Sequence, residues 1–208
     1  MDLSQSRTIS ILAILLLLAA ISQPVYTALY LAAPAFDRLF LWGFEGLVFV
    51  LMAAFAGSAL VMAKRYFLGF SAIAFSAVLN VVQVGVGLTQ FAPFRDAAQL
   101  NPDLGPAALS VVAFSFFGYN AAKILLGLAA LDFGVAKIRT GGKVLGSLTA
   151  LIGVIAVVAN TLVMMFGRDG FLPSPIAGAS GVLATLLLAI CLFSLRKHAD
   201  EGSQSPLS

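Results

Sequence analysis

Six long stretches of this chain are apolar almost without interruption, and nothing else constrains its fold as strongly. They run over Thr8–Ala33, Leu39–Ala63, Tyr66–Phe91, Pro106–Leu131, Val144–Phe166 and Pro175–Leu195. A hydrocarbon core ~30 Å thick is crossed by roughly 20 apolar residues of α-helix. Backbone amides and carbonyls cannot face lipid unpaired, so each stretch must be helical or join a closed barrel. The runs are continuous rather than alternating, which excludes the barrel. The expected fold is therefore all-α: a six-transmembrane-helix bundle over residues 1–195, followed by a polar tail, 196–208, expected to be disordered.

Composition narrows the function classes. Of 208 residues, 61% are apolar and 10% are charged, where a soluble domain carries about 25% charged residues. Soluble, disordered and nucleic-acid-binding proteins are excluded. Cys191 and His198 are the sole cysteine and histidine. No internal disulfide or thiol pair can form, and structural zinc lacks its ligands. A bis-histidine haem needs two histidines inside the bilayer and a Ser-His-Asp triad needs one as base, but His198 lies in the polar tail. No catalytic residue, metal ligand or cofactor is assigned, and an enzyme is the weakest class.

Turn chemistry marks the connections: Pro34 with Asp37-Arg38, Lys64-Arg65, Pro93 with Asn101-Pro102 and Gly105-Pro106, Gly141-Gly142, and Gly167 to Pro175. The first stretch also resembles a signal peptide, with Arg7 at its start and Ala20-Ile21-Ser22 as a cleavage site. Its continuation to Ala33, and Asp2 before it, favour a retained helix kinked at Pro24. Ser22 and Tyr26 are then placed to satisfy the freed backbone groups.

Basic residues set the orientation. Placing both termini in the cytoplasm puts eight of the 12 Lys and Arg inside: Arg7, Lys64, Arg65, Lys137, Arg139, Lys143, Arg196 and Lys197. Three, Arg38, Arg95 and Arg168, fall outside, and Lys123 falls within a helix. Phe36, Phe40 and Trp42 then lie at the outer interface, and Tyr66 and Phe67 at the inner one. Compact loops, small size and the lack of an Asn-x-Ser/Thr sequon point to a bacterial cytoplasmic (inner) membrane.

Chemistry is carried by polar residues within the spans. A charge there costs about 2.5–3.5 kcal/mol on the insertion scale, so it ordinarily has a partner or a wet site. Glu45 and Lys123 are the two charges. Asn80, Gln83, Asn120 and Asn160 are the accompanying amides. Counting helical rise from the outer ends places Glu45 at ~9–14 Å, Gln83 at ~12 Å and Asn160 at ~9 Å. Asn80 and Asn120 fall at roughly 15–21 Å, and Lys123 at ~20–25 Å. The set reads as a polar column from the outer leaflet to the bilayer centre, with Glu45 and Lys123 in contact or bridged by an amide or water. Asp132 reads as an interfacial helix end.

Small residues suggest which faces turn inward: Gly146, Gly153, Asn160 and Gly167 at seven-residue spacing, Ala53 with Gly57, and the stripe Ser76, Asn80, Gln83, Gly87. Two functions fit. One is a transporter or channel-like protein for a small polar or charged solute or protons, its site lined by the six polar residues. The other is a non-catalytic membrane subunit or assembly partner whose polar residues only lock helices. The expected partners are the lipid bilayer, a small solute or proton, and a second copy or membrane complex. Transport is favoured because the polar residues stack by depth.

Overall fold

A computed structural model describes residues 4–32, 39–63, 65–167 and 170–201. The chain is helical almost throughout, and no strand occurs among the described residues. Six α-helices follow in order: α1 (Gln5–Ala32), α2 (Leu39–Met62), α3 (Phe67–Leu100), α4 (Gly105–Arg139), α5 (Lys143–Phe166) and α6 (Ser174–Glu201). A short 3-10 turn, Pro102–Leu104, links α3 to α4. Pro34, Phe36, Asp37, Arg38, Lys64, Arg168 and Asp169 lie outside the described residues, as does the tail beyond 201.

Five helices, α1, α2, α3, α5 and α6, are long and apolar enough to cross a membrane. The sequence suggested six. The helix outside that set is α4, which carries Asn120 and Lys123 midway and Asp132 further on. It is nonetheless the hub of the bundle, packed against α3, α5 and α6. The remaining neighbours are α1 with α2, α2 with α3, α5 with α6, and α6 with α1, so the helices close into a ring. Large apolar side chains such as Phe75, Leu151 and Val158 project outward from this ring. That surface suits lipid, since a monomer in water rarely exposes so much contiguous apolar area.

Several helix ends depart from expectation. α3 continues through Pro93 to Leu100, across what reads as a loop. Ala97, Ala98, Gln99 and Leu100 favour helix, and one internal proline removes only one ladder bond. The turn that follows is pinned where the Asn101 side chain accepts from the Asp103 amide. α4 continues past Leu131 to Arg139, and its last turn holds Lys137 and Arg139, which suit the negative end of the helix dipole. Asp132 is therefore not a helix end; its Oδ2 accepts from the Gly69 amide in the first turn of α3, at 3.0 Å. α6 likewise runs through Arg196, whose guanidinium lies 5.6 Å from the Phe193 ring, into the segment expected to be tail.

The tightest seam joins α4 to α5. The helices run antiparallel, with Gly127 facing Gly153 and Gly134 facing Gly146. A Cβ built on Gly134 would lie 2.6 Å from the Ala150 amide nitrogen, and one on Gly153 would lie 2.6 Å from the Gly127 carbonyl oxygen. Backbone meets backbone there, so no side chain can move aside. The expected inward strip on α5 thus finds a matching glycine pair on α4. Gly57 on α2 is different: nothing lies within 4 Å of its Cβ position, so no helix uses that small residue for close approach. The stripe on α3 does face inward, with Gly87 packed against Trp42 and Gln83 reaching α4.

Candidate functional site

Glu45 and Lys123 converge on one cluster. Glu45 projects from α2 toward α1, where the Ser22 hydroxyl donates toward both the Glu45 Oε1 and the Ala19 carbonyl, 3.0 Å from each. Gln23 lies beside the same carboxylate. Its Oε1 stands 3.5 Å from the Tyr119 hydroxyl, which reaches across from α4. Lys123 sits one turn further along α4, its ammonium 5.3 Å from the centre of the Tyr119 ring. The aliphatic stem of Lys123 crosses α6 at Gly181, where a Cβ would come within 2.8 Å of Cδ. Gly178 similarly leaves room for the Tyr119 hydroxyl, 3.7 Å from its Cβ position. Four helices thus build the cluster, and two glycines of α6 make space for its long side chains.

Both charges are buried, Glu45 to 8% exposure and Lys123 to 1%. They do not touch. Among the described residues the single ion pair within 4.0 Å is Arg95–Asp96, which is exposed. A buried cation and a buried anion therefore share one cluster with neutral polar groups between them. Tyr119 is a donor and acceptor, Ser22 a donor and acceptor, and Gln23 both at its two ends. These groups run from Glu45 through Gln23 to the Tyr119 hydroxyl, and Lys123 meets the face of the Tyr119 ring; donors and acceptors of this kind can grip a solute that carries both.

Aromatic and apolar side chains flank the cluster along α2 and α4. Trp42, one turn before Glu45, stacks on Tyr26 at 5.7 Å and meets Phe91 edge-on at 5.5 Å. Phe49, one turn beyond Glu45, and Leu126, one turn beyond Lys123, belong to the fully buried apolar core. Trp42, expected in an interfacial belt, is half-buried in this aromatic group.

The four amides make hydrogen bonds of their own. Asn80 donates to the Ser76 carbonyl at 3.0 Å, Asn120 to the Phe116 carbonyl at 2.7 Å, and Gln83 to the Ser115 hydroxyl at 3.3 Å. Asn160 donates to Ala156 on its own helix and, at 3.2 Å, to the Ala177 carbonyl on α6. Among the described residues none hydrogen-bonds to Glu45 or Lys123. The charged cluster draws on α1, α2, α4 and α6, while these amide hydrogen bonds involve α3, α4, α5 and α6. Among the described residues, the Oδ1 atoms of Asn80 and Asn160 are buried without a hydrogen-bond partner.

Ser22, Gln23, Tyr119, Gly178 and Gly181 complete the site but were not picked out as site residues. Ser22 and Gln23 interrupt the apolar run of α1, a visible signal. Gly178 and Gly181 gain meaning only once α6 is known to lie beside Lys123. No group of three or more His, Cys, Asp or Glu occurs among the described residues. The cluster offers one carboxylate, one ammonium and neutral oxygens, a donor set for an ion pair or a proton rather than for a tightly held metal. No protein family, curated protein or solved structure matches this chain.

Proposed function

We propose that this is a six-span transport protein that moves a small polar or charged solute, or protons, through the Glu45–Lys123 cluster. Both termini face the cytoplasm of a bacterial inner membrane. The orientation rests on the eight inner basic residues. The sixth span is α4, whose polar side chains point into the ring and not at lipid: Asn120 and Lys123 are buried among neighbouring helices.

One observation carries the functional reading. Glu45 and Lys123 are both buried and both in the cluster, yet no direct pair forms. A charge pair kept only to hold helices together gains most when its ions touch, because contact offsets the desolvation of each. Two opposite charges held apart remain available to a third party. A zwitterionic or dipolar solute, or a proton with water, could occupy the interval. The aromatic group and the apolar core that flank the cluster give such a site two barriers, as alternating access requires.

The test is reconstitution of the full chain into vesicles, with uptake of labelled small polar and charged solutes and recording of internal pH. The expected result is flux above that of empty vesicles, abolished by Glu45→Gln. Equal leakage in empty and protein-containing vesicles in every assay contradicts the proposal.

The helix-locking alternative is favoured by one contact: Asn160 ties α5 to the Ala177 carbonyl of α6. Such bonds contribute ~0.6 kcal/mol on average. They account for the amides without accounting for the two separated charges.

A further inference from the structure

At the end of the bundle where α4 terminates and α3 begins, an open groove of about 700 Å³ is lined by Arg65, Tyr66, Phe67 and Leu68 on one side. Asp132, Val135, Ala136, Arg139 and Thr140 form the other side. It plays no part in the Glu45–Lys123 cluster. We propose that this groove is a binding site for an anionic phospholipid, its phosphate held by Arg65 and Arg139 and one acyl chain laid along Phe67, Leu68 and Val135.

The charge balance of the groove supports an anion. Asp132 is its one carboxylate, and that group is already engaged by the Gly69 amide at the start of α3. Arg65 and Arg139 have no carboxylate within 4.0 Å among the described residues. Two guanidiniums against one carboxylate leave net positive charge, and guanidinium geometry matches phosphate oxygens in bidentate fashion. Thr140 adds a hydroxyl donor. Lys137 and Lys143 lie at the same helix ends and strengthen the positive field.

The apolar half of the groove selects a lipid over a free anion. Phe67 is 55% exposed and Leu68 60% exposed, both in the first turn of a helix long and apolar enough to cross the membrane. A soluble phosphate would leave that wall unused, whereas an acyl chain covers it. A zwitterionic headgroup would bring its own ammonium against two guanidiniums. Basic recesses between helix ends are a recurring place for anionic headgroups. The helix ends fix the recess: Tyr66 holds a left-handed conformation (φ 63°) before α3, and its ring packs 5.7 Å from Phe133 of α4.

The experiment follows thermal unfolding of the purified full chain in a neutral detergent. It is titrated separately with phosphatidylglycerol, phosphatidylcholine and inorganic phosphate. Phosphatidylglycerol should raise the midpoint saturably, and the other two should not. Each cation near the surface is worth about fivefold in apparent affinity, so Arg65→Gln/Arg139→Gln should weaken the phosphatidylglycerol response roughly thirtyfold. Arg65→Lys/Arg139→Lys should keep most of it, and Arg95→Gln, at the opposite end, should keep all of it. Equal stabilisation by phosphatidylcholine overturns the proposal. So does an equal effect of inorganic phosphate, which would mark a free-anion site, or an undiminished response in the double Gln variant. Should that variant not fold, competition between the two lipids on the unaltered chain decides alone: no preference for phosphatidylglycerol overturns the proposal.

Discussion

α4 presents two unlike faces to its neighbours. Toward α5 it offers Gly127 and Gly134, and the helices meet backbone to backbone. Toward α1 and α6 it offers Tyr119 and Lys123, long side chains that cross the gaps between helices. The first seam is held by the absence of side chains, through dispersion contacts that fail as soon as atoms are added. The second is held by polar groups that leave two charges unpaired. One helix can therefore be anchored firmly on one face while the other keeps groups free for chemistry. The two faces adjoin: Lys123 lies ~40° and Tyr119 ~80° around the helix axis from Gly127.

The sharpest way to break this comparison is to fill the glycine seam. Gly134→Leu should cost about 3 kcal/mol or more, at or beyond the upper end for overpacking, because the obstacle is the Ala150 backbone. Thermal unfolding in detergent measures it, and a melt close to that of the unaltered chain would show that α4 and α5 are not so closely apposed. Next in size is Lys123→Met. Removing one partner of a touching buried pair costs about 3–5 kcal/mol; with the ions apart, about 2 kcal/mol is expected. A loss exceeding that of Gly134→Leu would reverse the ranking of the two faces.

Ser22→Ala sharpens the polar side further. It removes the donor to the Glu45 carboxylate and should lower stability by about 1.5 kcal/mol, as for hydrogen bonds to charged groups. The same melts should show only about 0.6 kcal/mol for Gln83→Leu, which loses one interhelical bond to Ser115. Should Gln83→Leu prove as harmful as Ser22→Ala, the amides belong to the site after all.

What the sequence discloses depends on whether a feature is local to one helix. The strip Gly146, Gly153 and Asn160 was visible because a seven-residue period marks a single face. Gly127 and Gly134 repeat the same interval on α4, but there Lys123 and Asp132 interrupt the apolar run and obscure the period. Gly57 was misjudged because a small residue shows that a neighbour could approach, not that one is present. The helical path through Pro93 was missed because proline reads as punctuation, although the residues around it favour helix. Glu45 and Lys123 are evident as costly charges, while their companions Tyr119, Gly178 and Gly181 depend on which helices lie side by side. That register is set by packing across the whole ring, and no local spacing encodes it.

The central claim is that Glu45 and Lys123 are held apart to serve a passing solute or proton, and one double variant addresses it directly. Glu45→Gln/Lys123→Met removes both charges at once, so neither is left alone in the apolar interior. Reconstituted into vesicles beside the unaltered chain, it should melt within about 1 kcal/mol of it, because no uncompensated ion remains. It should nonetheless carry no flux. A double variant that folds and transports as well as the unaltered chain would contradict the account and leave the two charges as helix locks.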